Sequence, residues 1–142
     1  MMAKESHRRR RILIVDDEEP MRLLLAQYAE ADLGAEVALA GTCEAALRLV
    51  REKAYDAILL DLLMPGIGGA EVLKAIRADS ANRATPVVIV SMLTTSSDVR
   101  ERMSAEKARA LGANAVVAKP VNRLTFIRTV KAHIGSRSAA AD

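Results

Sequence analysis

The chain has 142 residues, enough for one domain with a genuine core, and that core must be aliphatic because there is no Trp, one Phe and two Tyr. No apolar run approaches the length of a membrane span, and no apolar stretch follows the basic N-terminus as in a secretory signal, so a soluble, cytoplasmic protein is expected. A single cysteine, Cys43, excludes an internal disulfide and a cysteine-rich metal centre.

The formal net charge of +3 is unevenly spread: residues 1–11 carry +4, residues 136–142 carry zero, and residues 12–135 are left with −1. The basic character therefore belongs to an N-terminal arm. Its run Arg8 to Arg11 lacks interleaved aromatics or an amphipathic pattern, so a solvated arm is expected and direct DNA binding is not. The resulting division is a flexible arm over 1–10, a folded domain over 11–135 and a disordered tail over 136–142.

Within the domain, Ile12 to Val15 form a short buried strand ending at Asp16-Asp17. Met21, Leu24, Leu25, Tyr28 and Ala29 recur with helical spacing, Pro20 sits where a helix tolerates it, and Gly34 stops the helix. Glu36 to Ala40 read as a second strand, and Thr42 caps a helix bearing Leu47 and Val50. Asp56 to Asp61 is the third strand, with Met64-Pro65-Gly66 just beyond it. Gly68-Gly69 precede a helix with Val72, Leu73 and Ile76 on one side. Pro86 opens a strand over Val87 to Val90 that ends at Ser91. A fourth helix, the weakest in pattern, spans roughly Ser97 to Leu111, with Asp98 and Glu101 at capping spacing and sparse apolar positions Val99, Met103 and Leu111. Asn114 to Ala118 is the last strand, ending at Lys119-Pro120, and Asn122 caps a helix carrying Phe126, Ile127, Val130 and Ile134. His133 falls near the end of that helix, where a cation is mildly favoured. Cys43 reads as a small residue at a helix start.

Five strands alternating with five helices predict an α/β fold: a doubly wound parallel sheet covered on both faces. All strand C-termini then share one edge, which would carry Asp16, Asp17, Asp61, Ser91 and Lys119. Carboxylates gathered in one crevice repel one another, and a hard divalent cation is the natural compensation. Magnesium suits a few carboxylates, a backbone carbonyl and retained waters. The same crevice would accept a phosphoryl group, with Lys119 as a point charge and Ser91 as a hydroxyl donor.

In Asp16-Asp17, Asp61 with Met64-Pro65-Gly66, Ser91 and Lys119-Pro120, the chain resembles the receiver domain of two-component response regulators, over residues 11 to about 134. The resemblance implies a flavodoxin-like sheet of order 2-1-3-4-5. It implies Asp61 as the nucleophile that takes a phosphoryl group from a phosphohistidine. Asp17, Asp61 and the backbone carbonyl of Leu63 would ligate magnesium, with Asp16 nearby, often through water. Ser91 would hydrogen-bond the phosphoryl group and Lys119 would neutralise it. Implied partners are a sensor histidine kinase or histidine phosphotransfer protein, and a downstream protein reached through the fourth helix–fifth strand–fifth helix face.

Two departures from the family pattern stand out. Val116 lies where receivers commonly place an aromatic whose rotamer follows phosphorylation. Ser91 and Lys119 are 28 residues apart, longer than usual, so Met92 to Ala108 forms an extended loop or helix. With only about eight residues after the last helix, no output domain is expected and a stand-alone receiver is the reading. Leu63 and Leu93, two residues past Asp61 and Ser91, are apolar where a polar group could position water, so slow loss of the phosphoryl group is expected. The competing readings are a phosphorylation-independent interaction module of the same fold and a metal-dependent hydrolase. The hydrolase would need a general acid that Leu63 does not supply. Glu71 breaks any dinucleotide fingerprint at Gly66-Ile67-Gly68-Gly69, and there is no Walker loop.

Overall fold

The computed structural model describes residues 9–64, 68–78, 81–92 and 105–141. Its elements run β1 (Arg11–Val15), α1 (Glu19–Leu33), β2 (Glu36–Ala40), α2 (Cys43–Glu52), β3 (Ala57–Leu60), α3 (Gly69–Ala78), β4 (Val87–Ser91), α4 (Ala105–Ala110), β5 (Ala115–Ala118) and α5 (Arg123–Ala141). The strands pair in parallel in the order β2-β1-β3-β4-β5. Pro65, Gly66, Leu93 and most of the expected fourth helix, including Asp98, Val99, Glu101 and Met103, lie outside the described residues.

Alternation along each strand builds two separate apolar layers. Leu13, Val15, Ile58, Leu60, Val87 and Ile89 face α2, α3 and α4, where they meet Ala46, Val50, Val72, Leu73, Ile76 and Ala108. Ile12, Ile14, Leu59, Val88, Val90 and Val117 face α1 and α5, where they meet Leu25, Ala29, Phe126, Ile127, Val130 and Ile134. Strands covered on both sides need continuous apolar runs, which explains why β3 and β4 show no polar alternation.

Local signals set the helix ends. Thr42 accepts a hydrogen bond from the Ala45 N–H, and Asn122 accepts one from the Thr125 N–H. Gly34 closes α1 in the left-handed region at φ 62°, a conformation that glycine adopts without strain. Arg123 locks α5 to α1 by two bonds of 2.8 Å to the Asp32 carboxylate, and its guanidinium lies 4.8 Å from the Tyr28 ring centre.

Two residues sit differently from their sequence reading, Arg9 and His133. Of the basic arm, Arg9 is not simply solvated: its guanidinium donates to the carbonyls of Gly34 and Ala35, while the Arg10 carbonyl accepts from the Glu36 N–H and extends the β1–β2 pairing. The backbone of α5 runs to Ala141. His133 therefore sits inside α5 rather than near its end, with Nδ1 2.9 Å from the Thr129 carbonyl oxygen.

Candidate functional site

Register brings the polar residues to one rim. Val15 pairs with Leu60, and Ser91 pairs with Ala118, so Asp16, Asp61, Ser91 and Lys119 all emerge at the C-terminal ends of adjacent strands. The ladder runs on into the site: the Asp61 N–H donates to the Val15 carbonyl, and the Lys119 N–H donates to the Ser91 carbonyl. Asp16, Asp61 and Ser91 are buried, at 1%, 5% and 0% exposure. Buried carboxylates of this kind are tolerated only when paired.

The pairing is complete. Asp61 Oδ1 accepts from Ser91 Oγ at 2.6 Å and from the Leu63 N–H at 2.9 Å, and its Oδ2 accepts from Lys119 Nζ at 2.9 Å. Lys119 also donates to Asp16 Oδ2 at 2.8 Å and, more distantly, to Glu18 at 3.4 Å. Burial alone would depress the Lys119 ammonium. Its hydrogen bonds to Asp16 and Asp61, and their charges, outweigh that and hold it above the ordinary lysine value.

Asp16, Asp17 and Asp61 each offer a carboxylate oxygen within 4.8 Å of the others, and Asp17 is exposed. Asp17 does not occupy the cap position of α1; Glu18 does, and its N–H is taken by Asp16 Oδ1 at 2.9 Å. The all-oxygen donor set fits magnesium. Asp16, Asp17 and Asp61 would hold such an ion, which takes oxygen ligands and keeps several of its waters.

Three features near the site carry no sequence signal. Gly69 is needed for space: a Cβ there would lie 2.5 Å from the Asp61 carbonyl oxygen and from Leu62 Cα, so α3 can start directly against the β3 terminus. Glu18, at the N-cap of α1, is a further partner of Lys119. Arg22 reaches back from α1 to donate to the Asp16 carbonyl at 2.7 Å. Val116, at the position where an aromatic is usual, is half-buried and packs on the layer shared with α2, α3 and α4.

Residues 12–131 match the family model described as the response regulator receiver domain. The sensory/regulatory protein RpfC of Xanthomonas campestris is 38% identical over 117 residues, which are 81% of this chain and 15% of that protein. The polar-differentiation response regulator DivK of Brucella anthropi is 34% identical over 90 residues, 63% of this chain and 68% of its own. Among solved structures, the receiver domain of a Pseudomonas aeruginosa sensor histidine kinase, which has a magnesium ion coordinated in its active-site cleft, superposes with a TM-score of 0.74 at 28% identity, covering 90% of this chain and 99% of that one. The chemotaxis protein CheY4 of Vibrio cholerae gives 0.75 at 28% identity over 89% of this chain and 99% of its own. No helix among the described residues is long and apolar enough to cross a membrane.

Proposed function

Because the chain belongs to the response regulator receiver domain family of two-component signalling, we propose that Asp61 accepts a phosphoryl group from the phosphohistidine of a sensor histidine kinase or histidine phosphotransfer protein. An Asp61 carboxylate oxygen attacks phosphorus in line with the donor nitrogen. The O–P bond forms as the N–P bond breaks, the electron pair returns to the imidazole, and solvent supplies its proton. Asp17, Asp61 and the Leu63 carbonyl would hold magnesium, with Asp16 alongside; the bound ion supplies charge neutralisation for the phosphoryl oxygens.

The rest is done by the chain itself. Phosphorylation turns the Asp61 carboxylate into an acyl phosphate whose charge lies on the phosphoryl oxygens, and the Ser91 hydroxyl and Lys119 ammonium then have those oxygens as acceptors. Such a transfer requires positioning and charge compensation more than acid–base groups. Leu63 offers no general acid, which supports an acceptor over a hydrolase. The signalling unit is residues 11–135, acting in the cytoplasm, and the α4–β5–α5 face passes the state to a protein target.

The observation that carries this reading is the convergence of Ser91 Oγ and Lys119 Nζ on one carboxylate, at 2.6 and 2.9 Å. Incubation with acetyl phosphate, followed by intact-mass measurement, tests it. One phosphoryl group is expected on the wild type with magnesium, and none with EDTA or on Asp61→Asn. An unlabelled wild type in the presence of magnesium would leave the phosphorylation-independent interaction module as the better account.

A further inference from the structure

We propose that Arg22 is a positioning residue for the acidic pair: its guanidinium fixes the peptide group between Asp16 and Asp17, and so the aim of both carboxylates toward Asp61. The inference rests on reading those carboxylates as the magnesium-binding set.

Arg22 stands early in α1 with its side chain 17% exposed, and Nη1 donates to the Asp16 carbonyl oxygen at 2.7 Å. That oxygen shares a peptide group with the Asp17 N–H. A peptide group is planar, so holding the oxygen holds the plane from which Asp17 departs. On its other side the Asp16 N–H donates to the Ala40 carbonyl at 3.1 Å. Asp16 is thus bracketed, by the end of β2 before it and by the guanidinium after it. The exposed Asp17 carboxylate inherits its direction from that bracket.

The space for the guanidinium is built from a second element. Gly41 follows β2, and a Cβ there would lie 2.9 Å from Arg22 Nη1 and 3.3 Å from Cζ. Among the described residues the glycines with positive φ are Gly34, Gly68 and Gly112, so Gly41 is not required for a left-handed backbone. Room for Arg22 is what its missing side chain provides. Among the described residues its other charged contact, 3.8 Å to a Glu19 carboxylate that is 74% exposed, is too long and too solvated to fix the guanidinium. The Asp16 carbonyl is therefore its principal partner.

Electrostatics and positioning predict opposite signs for the test. Removing a cation beside a magnesium site should tighten binding on Coulombic grounds. Losing the held peptide plane should weaken it. Isothermal titration of the full chain with magnesium chloride, with thermal melts in EDTA to verify folding, separates the two. Arg22→Ala is expected to bind magnesium roughly tenfold more weakly, the scale typical of residues that orient metal ligands. Arg22→Lys, which keeps one donor, should recover part of the loss. Gly41→Ala, which displaces the guanidinium without removing it, should move affinity the same way, and it decides the matter if Arg22→Ala does not fold. Tighter binding, or a loss below about threefold despite a lowered Tm, overturns the proposal and leaves Arg22 a packing role. Wild type that takes up no magnesium overturns the proposed function and this inference together; unchanged variants of a magnesium-binding wild type overturn this inference alone.

Discussion

At Lys119 a single ammonium faces two buried carboxylates, Asp16 at 2.8 Å and Asp61 at 2.9 Å. Truncating it leaves those charges against each other. Lys119→Met should therefore cost about 3 kcal/mol in EDTA, as removing one partner of a buried ion pair generally does, with much of the loss recovered in saturating magnesium. Urea melts in the two buffers measure it. The folded-state pKa of Lys119 is raised, so its contribution is complete below the unfolded lysine value of about 10.4 and fades only as pH rises beyond that. The gap between wild type and Lys119→Met should accordingly stay flat through neutral pH and narrow in strong alkali. Leu63 is apolar and 43% exposed at the rim, where a polar side chain could have oriented an attacking water. Phosphorylated protein freed of donor should keep its label for minutes or longer; loss within seconds would contradict that reading.

Among the elements, the chemical rim is opposed by a polar knot at the N-terminal ends of the strands. Asn82 is fully buried: its Nδ2 donates to the carbonyls of Val50 and Lys53, and its Oδ1 accepts from the Tyr55 N–H and Thr85 Oγ1. It joins the end of α2 to the turns before β3 and β4. Asn82→Ala should destabilise the chain by about 3 kcal/mol, since several buried backbone groups lose their partner at once; chemical denaturation checks this. Arg77 makes a similar tie, donating to the Gly112, Arg83 and Thr85 carbonyls and to Asn114 Oδ1. Neither residue is legible in the sequence, because each acts on groups that only the folded chain assembles. Thr42, Asn122 and Gly34 are legible because a cap is settled within four residues of itself. The site falls between these cases. Strand ends can be read from apolar runs, so Asp16, Asp61, Ser91 and Lys119 could be anticipated, whereas Arg22 lies mid-pattern in a helix and looks like any exposed arginine. The mid-helix place of His133 is hidden for a related reason: nothing in Gly135 to Ala141 announces that α5 continues.

For the molecule as a whole, the sheet is a shared wall between two apolar layers, and Cys43 sits in one of them at 1% exposure. Burial pushes its thiol up, away from the reactive thiolate. Labelling by an aromatic disulfide reagent should be slow in native buffer and rapid in denaturant, so that its rate reports opening of the α2–α3 side. Prompt labelling of the native chain would mean that this layer is looser than its packing implies. Lys119 ties the C-terminal rim of the sheet together. Its bonds span 103 residues to Asp16 and 58 to Asp61, so the fifth strand is stitched ionically to the first and third. Any event that draws this ammonium off the aspartates slackens a seam across most of the sheet's width, making chemistry at one atom and mechanical continuity along the edge a single variable.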